Sequence, residues 1–143
     1  EQSLIALKKQ FKKEIIIVFG CGGDRDRSKR PIMGKVVAKD ADIALLTSDN
    51  PRNEDPEIIL RDVETGLEAL KFYEPSELPS FETGYTKVSN RKDAIAAAVS
   101  LANPKDIVVI AGKGHEDYQI IGSKRFPFDD REEAREALRK NIL

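Results

Sequence analysis

The sequence predicts a three-layer α/β domain: a mostly parallel sheet, helices on both faces, and an antiparallel hairpin at one edge. Three observations carry that expectation. Short, almost wholly apolar runs recur at Ile15–Phe19, Ile43–Thr47 and Ile107–Ile110, and such runs read as strands buried on both faces. Segments with apolar residues at helical spacing lie between them. Near the end, Tyr118–Ile121 and Lys124–Phe128 flank Gly122-Ser123, a two-residue turn that marks a hairpin. The resulting order, α-β-α-β-α-β-α-β-ββ-α, is that of a parallel sheet wound with crossover helices.

Each element has its own warrant. In Glu1–Lys13, Leu4, Leu7 and Phe11 fall on one helical face, so an amphipathic helix is expected there. It lacks a strong cap and reads as the continuation of something longer. Ile15–Phe19 ends in Gly20-Cys21-Gly22-Gly23, a loop of tight turns. Pro31 suits the first turn of the next helix, with Met33, Val36, Val37 and Ala41 as its expected buried stripe. After the second strand, Asp55 is a good N-cap and Pro56 a good first helical residue. Ile59, Val63, Leu67 and Leu70 carry that helix to about Lys71. Phe72–Gly84, with Pro75 and Pro79, is a loop, and Tyr85–Val88 a third strand. Asn90 caps a helix whose face is Ile95, Ala98, Val99 and Ala102, stopped by Asn103-Pro104. Asp130 with Glu133 suggests a capping box for a last helix carried by Ala134, Leu138 and Ile142.

Composition narrows the function classes. The 143 residues suit one domain. Lys and Arg number 24 against 25 Asp and Glu, which removes a bulk electrostatic drive toward nucleic acid or anionic membranes. The single cysteine, Cys21, excludes an internal disulfide and a multi-cysteine metal centre, and the single histidine, His115, leaves little for a zinc site. No apolar run approaches membrane-helix length and no signal peptide is evident. A reducing cytoplasm is the expected compartment.

In a parallel sheet, loops that follow strands leave from one edge, where ligands bind. Three such loops carry unusual residues. Gly20–Arg30 sets Arg25, Arg27, Lys29 and Arg30 at a helix start, where the helix dipole disfavours cations. The cluster is compatible with an anion site and equally with surface pairing to Asp24 and Asp26. Asp49-Asn50-Pro51-Arg52 is compatible with a simple turn, or with a site in which Arg52 binds a carboxylate and Asp49 an ammonium. Gly112-Lys113-Gly114-His115-Glu116 lacks the spacing of a phosphate loop. Its glycines allow close backbone approach, and Glu116 adds a second acid. His115 reads more readily as a loop residue than as a base, since no triad partner accompanies it. Together the loops offer guanidiniums, carboxylates, an amide and open backbone, a set complementary to an amino acid or diamino acid. No activated nucleophile is visible.

Four stretches, VFGCGGDRDRSKRPIMG (Val18–Gly34), TSDNPRNEDP (Thr47–Pro56), AGKGHEDYQ (Ala111–Gln119) and PFDDREEA (Pro127–Ala134), resemble the C-terminal domain of the Mur ligases, in the branch that adds meso-diaminopimelate during peptidoglycan synthesis. The likeness covers nearly the whole chain, in order. It implies a Rossmann-like domain, 1–143, that recognises meso-diaminopimelate. Arg25 would meet a carboxylate of that substrate. Asp49, Asn50, Pro51 and Arg52 would hold its end remote from the reacting amine, with Arg52 discriminating it from lysine. Gly112 and Glu116 would complete the pocket, and Lys29 would face phosphates at a domain cleft. The resemblance further implies ATP and Mg²⁺ as cofactors of the whole ligase, none of them bound by this domain. A UDP-linked muramoyl dipeptide would be the other substrate, held with ATP by N-terminal and central domains that the chain lacks. No nucleic acid or membrane partner is implied, and the chain alone is expected to be inactive as a ligase. One departure stands out: Asn90-Arg91 occupies a place where relatives usually carry Asp-Arg. Asn caps as well as Asp, but any electrostatic role of the acid would be lost.

Two other readings compete. A dinucleotide-binding module fits Gly20-Cys21-Gly22-Gly23 after a strand, although Arg25 stands where the third glycine of G-x-G-x-x-G belongs. A stand-alone interaction domain would use Glu1–Lys13 as its docking face.

Overall fold

The structure is a computed structural model that describes residues 14–80 and 82–142. The amphipathic segment expected over Glu1–Lys13 lies outside the described residues. Strands β1 (Ile15–Phe19), β2 (Ile43–Leu46), β3 (Gly84–Lys87) and β4 (Ile107–Ile110) form one sheet in the order β3-β2-β1-β4. Every pairing in it is parallel, with Ile17 opposite Ala44 and Ile16 opposite Val108. β1 sits between two partners and is buried along its whole length, which is why its sequence is apolar without alternation. β4, at the edge, is only half-buried.

Alternate β1 side chains feed two cores. Ile15, Ile17 and Phe19 pack with Val37, Leu60, Val63 and Leu67 beneath helices α1 (Lys29–Asp40) and α2 (Pro56–Glu64). Ile16 and Val18 join Ile43, Leu45, Ile95 and Ala98 on the other face, under α3 (Arg91–Leu101), against which α4 (Asp130–Ile142) packs. The α/β class expected from sequence is the one observed. The hairpin, β5 (Tyr118–Ile121) with β6 (Lys124–Pro127), is antiparallel as expected. It stands as a separate two-stranded sheet rather than extending the parallel one.

Local departures have physical causes. Asp55 accepts from the Glu57 amide at 2.9 Å and Pro56 opens α2 as expected, but the helix stops at Glu64 and not near Lys71. The helices α1 and α2 touch through glycine: a Cβ on Gly66 would lie 2.0 Å from the Pro31 carbonyl oxygen, and one on Gly34 2.3 Å from that of Val63. The buried residues of α1 are Arg30, Gly34, Val37, Ala38 and Asp40; Val37 and, just past the helix, Ala41 are buried as expected, while Met33 is left 41% exposed. Asn90 Oδ1 caps α3 by accepting from the Asp93 amide at 3.0 Å. At α4 the residue expected to cap, Asp130, is replaced in that role by Asp129, whose Oδ1 accepts from the Arg131 amide at 2.9 Å. Asp130 is engaged elsewhere, in a bidentate pair with buried Arg91 at 2.8 Å for both bonds.

Candidate functional site: a charged cleft at the carboxyl edge

The chain runs outward from β1 through β2 to β3, then returns to the other side of β1 as β4. That reversal leaves a crevice beyond the carboxyl ends of β1 and β4, the usual ligand position in open α/β sheets. The loops after β1, β2 and β4 meet there. The first two lie backbone to backbone. Gly23 N donates to Asn50 O at 2.7 Å, and a Cβ on Gly23 would fall 1.8 Å from the Pro51 carbonyl oxygen.

The cations of the first loop divide into two groups. Arg30 is fully buried and pairs with Glu54 at 2.7 Å and Asp62 at 2.8 Å, and it also donates to Gly22 O. Arg27 joins Asp62 at 3.0 Å. These bonds hold the carboxyls of Glu54 and Asp62 below the usual range, Arg30 acting first on Glu54 and Arg27 first on Asp62. The surface pairing with Asp24 and Asp26 that the sequence allowed is therefore not how these two arginines are used. Arg25 and Lys29 are exposed; the Lys29 amide donates to Asp26 O at 3.3 Å, and neither side chain is drawn into the Glu54–Asp62 pairing. Both line an open cleft of about 470 Å³ together with Cys21, Met33, Asp49 and Gly112. Burial raises the Cys21 thiol to about 11.

The second loop is the best fastened. Asn50 is buried; its Oδ1 accepts from Lys113 Nζ and from the Ile120 amide, each at 2.9 Å, and its Nδ2 donates to Glu116 Oε1 at 3.0 Å. Asp49 Oδ1 lies 3.0 Å from Lys113 Nζ, and its carbonyl accepts from Gln119 Nε2 at 2.7 Å. Arg52 adopts a left-handed backbone at φ 52°, uncommon for any residue but glycine. Hairpin bonds hold it there: Arg52 N donates to Ile120 O at 3.1 Å and Arg52 O accepts from Gly122 N at 2.6 Å. Its Nη1 donates to Gly23 O at 3.0 Å. Gly22 separates the two arginines, since a Cβ there would be 2.8 Å from Arg52 Nη1 and 3.5 Å from Arg25 Cγ.

The structure thus brings Arg25, Lys29, Asp49 and Gly112 to one cleft. Asn50 and Glu116 are tied to Asp49 through Lys113, and Arg52 sits beside Gly22 with its Nη1 on Gly23 O. Pro51 lines a different cleft of about 630 Å³, shared with Gln119 and Ile121. His115 is exposed and makes no hydrogen bond or ion pair among the described residues. Two cations were not singled out from sequence. Lys113, 2% exposed, joins the loops after β2 and β4. Arg91, 1% exposed, donates to Ser48 O at 3.2 Å and Ala111 O at 3.1 Å besides gripping Asp130. The Asn90-Arg91 pair was visible as a motif, but nothing in it signalled burial. Among the described residues no group of His, Cys, Asp and Glu side chains could hold a metal ion.

Residues 1–114 match the family model described as "Mur ligase, glutamate ligase domain". The chain belongs to the Mur ligase family. This Mur ligase domain is 50% identical over 131 residues to a protein of Geobacter sulfurreducens named UDP-N-acetylmuramoyl-L-alanyl-D-glutamate--2,6-diaminopimelate ligase, covering 89% of the chain and 26% of that protein. A protein of Synechocystis with the same name is 49% identical over 138 residues, covering 96% of the chain and 25% of that protein. A solved structure titled as this ligase superposes with TM-score 0.84 at 42% identity, covering 99% of the chain and 27% of the other. The Mur ligase domain therefore spans about a quarter of the length of these relatives.

Proposed function

We propose that this chain is the amino-acid-binding C-terminal domain of an ATP-dependent ligase that adds meso-diaminopimelate to UDP-MurNAc-L-Ala-D-Glu in peptidoglycan synthesis. The observation that carries the reading is the charge arrangement of the cleft. Arg25 and Arg52 flank Gly22, Arg25 lines the cleft with Asp49, and Asp49 and Glu116 share Lys113. A zwitterionic amino-acid end matches that pattern, with its carboxylate on the guanidiniums and its ammonium on the acids. In the proposed reaction the free amine at the other end attacks an acyl phosphate of the muramoyl dipeptide. A C–N bond forms, the C–O bond to phosphate breaks, and phosphate leaves. The part of this domain is to hold and orient the amine.

ATP and the UDP-linked substrate belong, in this reading, to domains that precede the chain, and the chain alone makes no amide bond. In the same reading Mg²⁺ belongs there too. Lys29, exposed at the cleft mouth, would turn toward phosphates across the domain interface. The reading makes the enzyme cytoplasmic.

The test is Arg52→Ala in the full-length ligase. Loss of a charge-assisted bond worth about 1.5–3 kcal/mol corresponds to a rise of roughly ten- to hundredfold in KM for meso-diaminopimelate, with KM for ATP within about twofold. An unchanged diaminopimelate KM rejects the reading, as would binding of NAD without binding of the diamino acid.

A further inference from the structure

We propose that Lys113 is a positioning residue for the amino-acid cleft: a buried internal counter-ion that sets the direction of Asp49 and, through Asn50, of Glu116. The inference rests on the diamino-acid reading above. Lys113 Nζ donates to Asn50 Oδ1 and to Tyr118 O, each at 2.9 Å, and forms an ion pair with Asp49 Oδ1 at 3.0 Å. The residue is 2% exposed, so Lys113 acts through its neighbours.

Its neighbours are the residues that face the ligand. Asp49 Oδ1 has no hydrogen bond among the described residues, so the ion pair to Lys113 is what holds that oxygen. Asp49 Oδ2 is left on the side of Gly112, where a Cβ would be 3.6 Å away, and Asp49 and Gly112 both line the open cleft. Asn50 is fixed in the same way. Lys113 Nζ and the Ile120 amide both donate to its Oδ1, which forces Nδ2 toward Glu116 Oε1 at 3.0 Å. The lysine therefore determines which way the amide faces, and the amide determines where Glu116 sits.

The charges fit one ammonium. Asp49 and Glu116 contribute two negative charges, and Lys113, 3.0 Å and 3.9 Å from them, contributes one positive. The remaining single negative charge matches the one ammonium of an amino-acid end. Without the lysine, two carboxylates would face each other across Asn50 with only the ligand to balance them. The backbone is shaped for this inward lysine: Gly112 and Gly114 on either side have φ of 117° and 55°, conformations that favour glycine.

The experiment compares Lys113→Met, close in length but uncharged, with Arg52→Ala in the full-length ligase. The expected result is a rise of at least about tenfold in KM for meso-diaminopimelate, with kcat and KM for ATP within about twofold. Combined with Asp49→Asn, the loss should be less than the product of the single losses, because both variants remove one interaction. Equal changes in kcat and in both KM values, or full multiplicative loss in the combination, overturn the inference and leave Lys113 an ordinary folding residue. If Lys113→Met does not fold, the charge-balanced pair Lys113→Met with Asp49→Asn decides. A rise over Asp49→Asn alone that is confined to the diaminopimelate KM, as the Asn50–Glu116 arm requires, supports the inference, and no rise, or equal changes in kcat and both KM values, overturns it. An Arg52→Ala enzyme with unchanged diaminopimelate KM removes the functional reading itself. Arg52→Ala impaired with Lys113→Met unimpaired removes the inference alone.

Discussion

Replacing Arg91 by methionine tests how the carboxyl edge is held together. The guanidinium makes two bonds of 2.8 Å to Asp130 and two more to the carbonyls of Ser48 and Ala111, at 3.2 and 3.1 Å. Arg91 is wholly enclosed and the Asp130 side chain is 13% exposed, so the variant leaves a carboxylate and two carbonyls short of partners. Breaking a buried ion pair from one side costs about 3–5 kcal/mol. At about 3 °C per kcal/mol for a chain of this size, Tm should fall by roughly 9–15 °C. With a urea m-value of about 2 kcal/mol/M, the midpoint should drop by roughly 1.5–2.5 M. Urea melts of the 143-residue chain followed by circular dichroism give the number directly. The pair Arg91→Met with Asp130→Leu removes the stranded acid as well, and should lie within about 2 kcal/mol of the parent. The reasoning is refuted if Arg91→Met costs less than about 1 kcal/mol, as a surface pair would. It is equally refuted if the double variant is less stable than Arg91→Met alone.

Two further outcomes follow from ionisation. Burial holds the Cys21 thiol near 11, so at pH 8 the thiolate is scarce; iodoacetamide should modify it roughly two-hundredfold more slowly than free cysteine, and the gap should close in denaturant. Comparable rates in the folded chain would contradict the burial argument. The carboxyls of Glu54 and Asp62 are depressed by Arg30 and Arg27, so the unfolded chain binds more protons near pH 4 and stability rises with pH there. That contribution is fully present above about pH 4.5 and is lost as pH falls through the depressed values. Acid melts should show it, and Arg30→Met should flatten the dependence; an Arg30→Met curve parallel to the parent would refute the assignment.

Much of the architecture was legible because most strands of this sheet are apolar without alternation. Ile15–Phe19 and Ile107–Ile110 are apolar at every position and both are strands of the parallel sheet, the first buried throughout and the second, at the edge, half-buried. The end of α2 was not legible. Leu67 and Leu70 keep the helical period and contribute to the core, yet the helix has already stopped, because periodicity reports burial and not hydrogen bonding. The position of Gly66 against Pro31 depends on a helix some thirty residues away in sequence. The same limit applies to charges. Arg25, Arg27, Lys29 and Arg30 read as one cluster, but only the fold shows that acids from the β2–α2 segment take Arg27 and Arg30 and leave Arg25 and Lys29 at the cleft. Lys113 was hidden for a related reason. A lysine between two glycines reads as solvated, and its partners at Asp49 and Asn50 lie more than sixty residues earlier.

The left-handed turn at Arg52 has a consequence beyond geometry. Its main chain is clasped on both sides by the hairpin, so the loss of conformational freedom in that loop occurs when the chain folds rather than when a ligand arrives. Strain of about 1–2 kcal/mol at such a residue is borne permanently by the hairpin contacts. In the proposed function, a carboxylate entering the cleft would meet a guanidinium already held against Gly23 O, in a loop already ordered. Slackening the hairpin would thus add an ordering cost to binding and would also loosen Asp49 and Asn50, which Gln119 and the Ile120 amide hold.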